Sequence, residues 1–253
     1  MCSLPLTEVL RMRYDGQPLM RGYVVEKIYR PAMPKIENTT QSIPGKNGVL
    51  FRRQNRAERI LKVAIRKIDE TGQSFFLARE RLRDSLFAFR AYVEKDTPKR
   101  LELSDQPLTY DMAILDDLDQ ELQEKTLYLV CSFLLPDGFS RDRNTTTVSL
   151  KDGENNIFYD GTEPTPINVK GKVSGESVVL FNQTYAEKTT VLRATKDTTV
   201  VIDTEQETYR ENGVLCMPKI PPASDFPWLY PGNNTIFVSG LMGATLSYEG
   251  RRL

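Results

Sequence analysis

Only one stretch of this chain has helical periodicity, residues 74–93 (SFFLARERLRDSLFAFRAYV), and the segments around it alternate with a period of two. Leu82, Leu86, Phe89 and Val93 recur at steps of four, three and four, which puts them on one apolar stripe. Arg79, Arg83 and Arg90 fall off that stripe. Ser74 stands where its hydroxyl can accept from a free N–H of the first turn. Burying the four stripe residues contributes about 6–12 kcal/mol before conformational entropy is subtracted. A single helix of this kind needs a sheet to lie on. The pattern predicts a mostly β chain with one helix laid across a β-sandwich.

The strands follow from alternation. Residues 8–14 form the first, with Leu10, Met12 and Tyr14 on one face, and Asp15-Gly16 turns the chain into a second at 23–29. Residues 31–60 are too polar and too interrupted by proline and glycine for a core, and they read as a long arm. Within it, Asn47-Gly48 suits a hairpin turn because both positions accept positive φ. The arm feeds a strand at 59–68, with Leu61, Val63 and Ile65 on one face. After the helix, 100–103 and 109–115 read as strands. Residues 126–135 give the strongest signal, with Leu127, Leu129, Cys131, Phe133 and Leu135 on one face. Tyr128, Val130 and Leu134 opposite are also apolar, so this strand is expected to be covered on both sides, with Cys131 a small core residue.

A chain of 253 residues divides naturally in two. Pro136-Asp137-Gly138 and the polar run 140–147 mark the boundary, so the domains are 1–139 and 140–253. Beyond it, short alternating segments recur at 146–150, 167–173, 177–181, 189–194, 199–203, 207–210, 234–238 and 245–248, the spacing of an antiparallel sandwich. Asn212-Gly213 supplies another hairpin turn. No helix is expected in this half.

Chemistry is constrained by what the chain lacks. It has no histidine, which removes the Ser-His-Asp triad, the Cys-His dyad, the HExxH site and imidazole ligation. Three widely spaced cysteines argue against a disulfide framework and a thiolate zinc site. No phosphate-binding glycine loop is present. The expectation is therefore no catalytic residue, no cofactor and no metal. The 34 basic and 34 acidic residues cancel, so general attraction to nucleic acid is not expected. Without an export signal or an apolar run of about 18 residues, membrane insertion is not expected either.

Locally the charge is uneven. Residues 46–67 hold eight basic side chains against Glu58 alone, while Asp111, Asp116, Asp117, Asp119, Glu121 and Glu124 meet no base until Lys125. Nucleic-acid contact through the basic run is not expected, because Phe51 is its one aromatic residue for base stacking. Solvated loop faces are one reading of both runs, and complementary patches that meet between subunits are another.

With these residues in view, the chain resembles the distal tail proteins of long non-contractile-tailed phages, of the lactococcal-phage type. The first half carries Ile43-Pro44-Gly45-Lys46-Asn47-Gly48, then strand and helix, then Leu101-Glu102-Leu103-Ser104-Asp105-Gln106-Pro107 and Pro136-Asp137-Gly138-Phe139. The second carries Val201-Ile202-Asp203-Thr204, Glu211-Asn212-Gly213 and Leu229-Tyr230-Pro231-Gly232-Asn233-Asn234-Thr235-Ile236. The resemblance covers nearly the whole chain in order.

It implies a structural virion protein, made in the host cytoplasm and placed at the tail tip or baseplate. The N-terminal domain, with its helix and arm, would form a homo-hexameric ring in which each arm embraces the next subunit. The ring would join the tail tube protein to the tail-associated fibre or lysin protein. The C-terminal domain would be a galectin-like β-sandwich that holds baseplate or receptor-binding proteins for host adsorption. The candidate subunit contacts are Ile43, Pro44, Gly45, Asn47, Gly48, Phe51, Arg52, Arg53 and Arg56 of the arm, against an acidic turn containing Asp116, Asp117 and Asp119. The alternative is a carbohydrate-binding module of the tail tip. The sole tryptophan, Trp228, would be its stacking residue, but its proline-framed position reads as packing, and the galectin sugar-site pattern lacks its histidine.

Overall fold

The computed structural model describes residues 10–31, 36–42, 49–56, 58–68 and 74–253. Contacts divide the chain into two compact units, Met1–Ser140 with Leu253, and Arg141–Arg252.

The first unit holds strands β1 (Met12–Tyr14), β2 (Gln17–Pro18), β3 (Tyr23–Tyr29), β4 (Ile36–Ser42), β5 (Val49–Arg56) and β6 (Arg59–Ile68). Helix α1 (Phe75–Val93) is next, then β7 (Lys99–Leu103), β8 (Thr109–Gln123) and β9 (Thr126–Leu135). Seven strands run in the order β2-β1-β7-β8-β9-β6-β3. Of the expected first strand only Met12–Tyr14 pairs, and Glu8 and Val9 lie outside the described residues. Asp15 and Gly16 both have positive φ, 53° and 72°, which closes β1 onto β2 with a two-residue turn.

β8 runs eight residues beyond the stretch that alternation assigned to it. Its start pairs with β7, up to Lys99↔Ala113, and its remainder pairs with β9 from Ile114↔Leu134 to Gln123↔Thr126. A register shift between Leu115 and Asp117 separates the halves. Such an irregularity bends a strand and raises its twist, so one long strand serves two neighbours. The core lies on the inner face: Leu61, Val63 and Ile65 of β6, Leu127, Leu129, Cys131, Phe133 and Leu135 of β9, and Leu101 and Leu103 of β7. Tyr14 is buried among them, its ring 5.4 Å from that of Phe133 and its hydroxyl donating to the Ala113 carbonyl at 3.0 Å. The outer face of β9 is only half-covered at Tyr128, Val130 and Leu134, not buried as the apolar run suggested.

α1 packs Leu82, Phe89 and Val93 into this core and also buries Ala78. Leu86 is only partly buried, because a hollow of about 220 Å³ opens beside it between Arg79, Arg83, Gln120 and Leu122. Ser74 occupies the N-cap position, but its side chain makes no capping bond; the first turn closes through Ala78 N–H to the Ser74 carbonyl, 3.1 Å. The helix is held by Ser85, whose carbonyl accepts from the Tyr23 hydroxyl and whose Oγ accepts from Lys67 Nζ, both at 2.6 Å. The Tyr23 ring stacks on Phe89 at 5.1 Å.

The second unit contains β10 (Ser140–Asp142) in part, then β11 (Thr146–Ser149), β12 (Gly153–Tyr159), β13 (Thr165–Pro166), β14 (Asn168–Val173) and β15 (Ser177–Asn182). After these come β16 (Glu187–Leu192), β17 (Thr199–Asp203), β18 (Thr208–Glu211), β19 (Val214–Leu215), β20 (Trp228–Leu229), β21 (Gly232–Ser239), β22 (Leu241–Tyr248) and β23 (Arg251–Arg252). One sheet runs β11-β22-β14-β17-β18-β19 and the other β12-β21-β15-β16, with β13 and β20 as a separate pair. Asn212 and Gly213, at φ 47° and 84°, make the β18–β19 turn that their sequence predicts.

Valines and isoleucines at alternate positions fill the space between the sheets, among them Val169, Val178, Val200, Ile202, Ile236 and Val238. The polar run after Gly138 is not plain linker: it supplies β10 and β11, and Asp142 donates its N–H to the Gly250 carbonyl at 2.7 Å. Glu211 is buried at the end of β18, where it accepts from Lys219 Nζ at 2.7 and 2.8 Å, from the Tyr209 hydroxyl at 2.7 Å and from Thr195 N–H at 3.2 Å.

Candidate functional site

Two surfaces stand out, one in each unit. In the first, β3 ends the strand order at one edge of the sheet. β2 ends it at the other, and within the order β7 covers β8 only as far as Ala113, the rest of β8 pairing with β9. The outer face between these edges carries a charge gradient. Asp117, Asp119 and Glu121 alternate along β8, all exposed, opposite Ser132, Val130 and Tyr128 of β9. On the far side, Lys62 and Arg66 of β6 sit beside Tyr29 and Val24 of β3, with Lys27 next to them. Arg66 pairs with Glu26 at 2.8 Å, an exposed contact.

The acidic residues therefore lie on a strand and not in a turn. Alternation stops being apolar at Asp116, so the pattern ended where the backbone pairing did not. Asp116 occupies the register shift, and Asp117 accepts from the Leu118 N–H at 2.9 Å. Of the arm residues expected at a subunit contact, Ile43, Pro44, Gly45, Asn47 and Gly48 lie outside the described residues. Phe51, Arg52, Arg53 and Arg56 are on β5, whose backbone pairs with β4 from Ile36↔Arg56 to Ser42↔Val49, with a shift between Thr39 and Thr40. The arm and the acidic strand are thus separate elements of one unit.

A polar cluster joins Arg30, just after β3, to buried Asp111 of β8. Arg30 donates to Asp111 at 2.8 Å and to Asp105 at 3.2 Å, and the Ser140 hydroxyl donates to Asp111 at 2.6 Å. Burial pushes the Cys131 thiol up to about 12, so it is a core residue and not a nucleophile at neutral pH. Among the described residues no group of three or more acidic or cysteine side chains is placed to hold a metal ion.

In the second unit a groove of about 560 Å³ lies beside β16 and β20. Tyr185 and Tyr230 stack there with centroids 3.9 Å apart. The Tyr230 hydroxyl donates to the Glu187 carboxylate, whose other oxygen accepts the Trp228 N–H at 2.9 Å. Burial, and then Glu187, push the Tyr230 hydroxyl up to about 12, so it stays a donor. Asn234 accepts from Tyr230 N–H at 3.0 Å and donates to its carbonyl at 2.7 Å, while Asn182 donates to the Trp228 carbonyl at 2.7 Å. Trp228 is half-buried, with the Arg251 guanidinium 5.0 Å from its ring. Sequence reasoning singled out Trp228 but missed Tyr185 and Glu187, because residues from two separate turns carry no common spacing.

Residues 160–251 match the family model described as the siphovirus-type tail component, C-terminal domain. The matched stretch falls within the second unit, Arg141–Arg252. No curated protein matches the chain. Among solved structures, the chain shares its fold with the Dit protein (gp 19.1) of phage SPP1, described as a paradigm of the hub adsorption apparatus in phages that infect Gram-positive bacteria. The TM-score is 0.84 at 17% identity, over 97% of this chain and 100% of that one. A chain of the phage p2 baseplate in its activated conformation with strontium aligns with a TM-score of 0.50 at 9% identity, over 95% and 97% of the two chains. The distal-tail resemblance drawn from motif order agrees with the family match and the shared fold, which is stronger for SPP1 Dit than for the p2 chain. The family match is to the C-terminal domain, and the likeness to SPP1 Dit is one of fold over both units. No helix among the described residues is long and apolar enough to cross a membrane.

Proposed function

We propose that the first units of six copies close head to tail into a ring at the tail tip, which joins the tail tube to the tail-associated fibre or lysin protein. The observation that carries this reading is the charge difference across the sheet, acidic along β8 beyond its β7 ladder and basic along β6 and the end strand β3. Unpaired edges template association with another strand. Because the two charged stretches differ, contact between them is heterologous, and such contacts build a ring when the rotation closes. Each exposed ion pair contributes only about 0–1 kcal/mol, so the charges set register and encounter while backbone pairing and apolar contacts supply affinity. The arm, with Ile43, Pro44, Gly45, Asn47, Gly48, Phe51, Arg52, Arg53 and Arg56, adds a clasp onto the neighbour that also reaches Asp116, Asp117 and Asp119. The second unit faces the baseplate or receptor-binding proteins. The role is structural and not enzymatic, which the tail-component match and the histidine-free sequence both support.

The test is solution mass by light scattering against ionic strength. Reversing Asp117, Asp119 and Glu121 to lysine should yield monomers. Adding Lys27→Glu, Lys62→Glu and Arg66→Glu to the same chain should restore the ring. An unchanged hexamer in the first variant would overturn the edge pairing, and a wild-type monomer would overturn the ring.

A further inference from the structure

We propose that the groove beside Tyr185 and Tyr230 binds a neutral saccharide, a function separate from ring assembly. Its volume of about 560 Å³ is that of a small-molecule site. Its lining combines aromatic rings with hydrogen-bond acceptors: Tyr185, Tyr230 and Trp228 with Glu187, Glu207 and Asp225. A sugar has the matching surface, with C–H faces to lie on a ring and hydroxyls to donate to carboxylates. Tyr185 is 44% exposed, so the ring face not stacked on Tyr230 is open to a ligand.

The platform is preorganised. Glu187 fixes the Tyr230 hydroxyl and the Trp228 backbone, and Asn234 and Asn182 hold the two strand ends, so little side-chain freedom is lost on binding. Charge narrows the ligand further. No lysine or arginine lines the groove, and Arg251, over the Trp228 ring, is paired with Glu205, so a phosphate-bearing ligand would meet three lining carboxylates. A compact cation would use one carboxylate and one ring face of a groove several times its size. Glu187 is in addition already engaged by two donors. A row of hydroxyl donors uses the whole lining.

Trp228 is the only tryptophan in the chain and lies on the groove, so its fluorescence reports occupancy. The full-length protein should be titrated with glucose, galactose, N-acetylglucosamine, cellobiose, lactose and chitobiose, and with choline and glycerol phosphate as cationic and anionic probes. At least one neutral sugar should give a saturable change, with none from the charged probes. Tyr185→Ala should weaken that response about tenfold at an unchanged melting temperature, and Tyr185→Phe should keep it. The double change Glu207→Gln with Asp225→Asn should weaken it as well, through lost acceptors. Silence from every sugar, equal binding by the Tyr185→Ala variant, or a response to choline or glycerol phosphate alone would each overturn the proposal. Hexamer formation is read separately, so failure here leaves the ring untouched.

Discussion

Glu211 shows how a single residue reports on its whole neighbourhood. It is 8% exposed on β18, where an isolated carboxylate would be costly. Burial opposes its ionisation, but bonds from Lys219, Tyr209 and Thr195 outweigh that and hold the carboxyl at about 2. Its unfolded value is about 4.3, so the folded value is the depressed one. The stability it contributes is complete above the unfolded value and disappears as pH falls through about 2. The second unit should therefore melt at progressively lower temperature from about pH 5 to pH 2, and the slope should be shallower in Glu211→Gln. At neutral pH that variant should lose about 1–3 kcal/mol, because Lys219 keeps its charge but loses its partner. Calorimetry across the pH series checks both. A slope unchanged by the variant would place the titrating group elsewhere. None of this was visible in the chain, where Glu211 read as the residue before a turn and as part of the Glu211-Asn212-Gly213 motif.

At the scale of elements, α1 behaves as an amphipathic helix whose buried face is set by what it meets. Phe89 stacks on Tyr23 and lies 6.0 Å from Tyr92, while Phe87, two residues earlier, is 68% exposed. Phe89→Ala should cost about 3–5 kcal/mol in urea unfolding, through lost transfer energy and a cavity. Phe87→Ala should stay within about 0.5 kcal/mol. Equal losses would mean that the helix docks on another face. The 3.6-residue period located this helix, and Leu82, Phe89 and Val93 sit where it placed them. Leu86 packs against the same core but stays partly exposed, because the hollow beside it is a property of the facing strands. β12 escaped notice for a related reason. It is an edge strand whose first half is polar, and only Ile157 and Tyr159 are buried.

For the whole molecule, we propose that the two units fold independently. Trypsin should cut after Arg143, which precedes the exposed residues 144–147, sooner than after Arg141, which sits in β10. Two fragments that each melt cooperatively are expected, and loss of structure in both after one cut would refute the proposal. The mostly β class, the single helix and the exclusion of histidine chemistry were legible in the sequence alone. Period and composition are local properties, and burial of Leu61, Val63, Ile65 and the β9 face depends only on which side of a strand they occupy. The order of motifs led to the tail-protein resemblance in the same way. Only tertiary structure decided the features that depend on residues far apart in the chain. β8 continues through Asp116–Glu121 because β9 supplies its hydrogen-bond partners, although no apolar alternation marks it. The charge gradient across the sheet exists because strand order sets β9 between acidic β8 and basic β6, with β3 beyond. The Tyr185–Tyr230 platform exists because Glu187 and Asn234 bring two distant turns together. Pairing partners and convergent side chains are set by how the strands assemble, and no window of sequence contains that information.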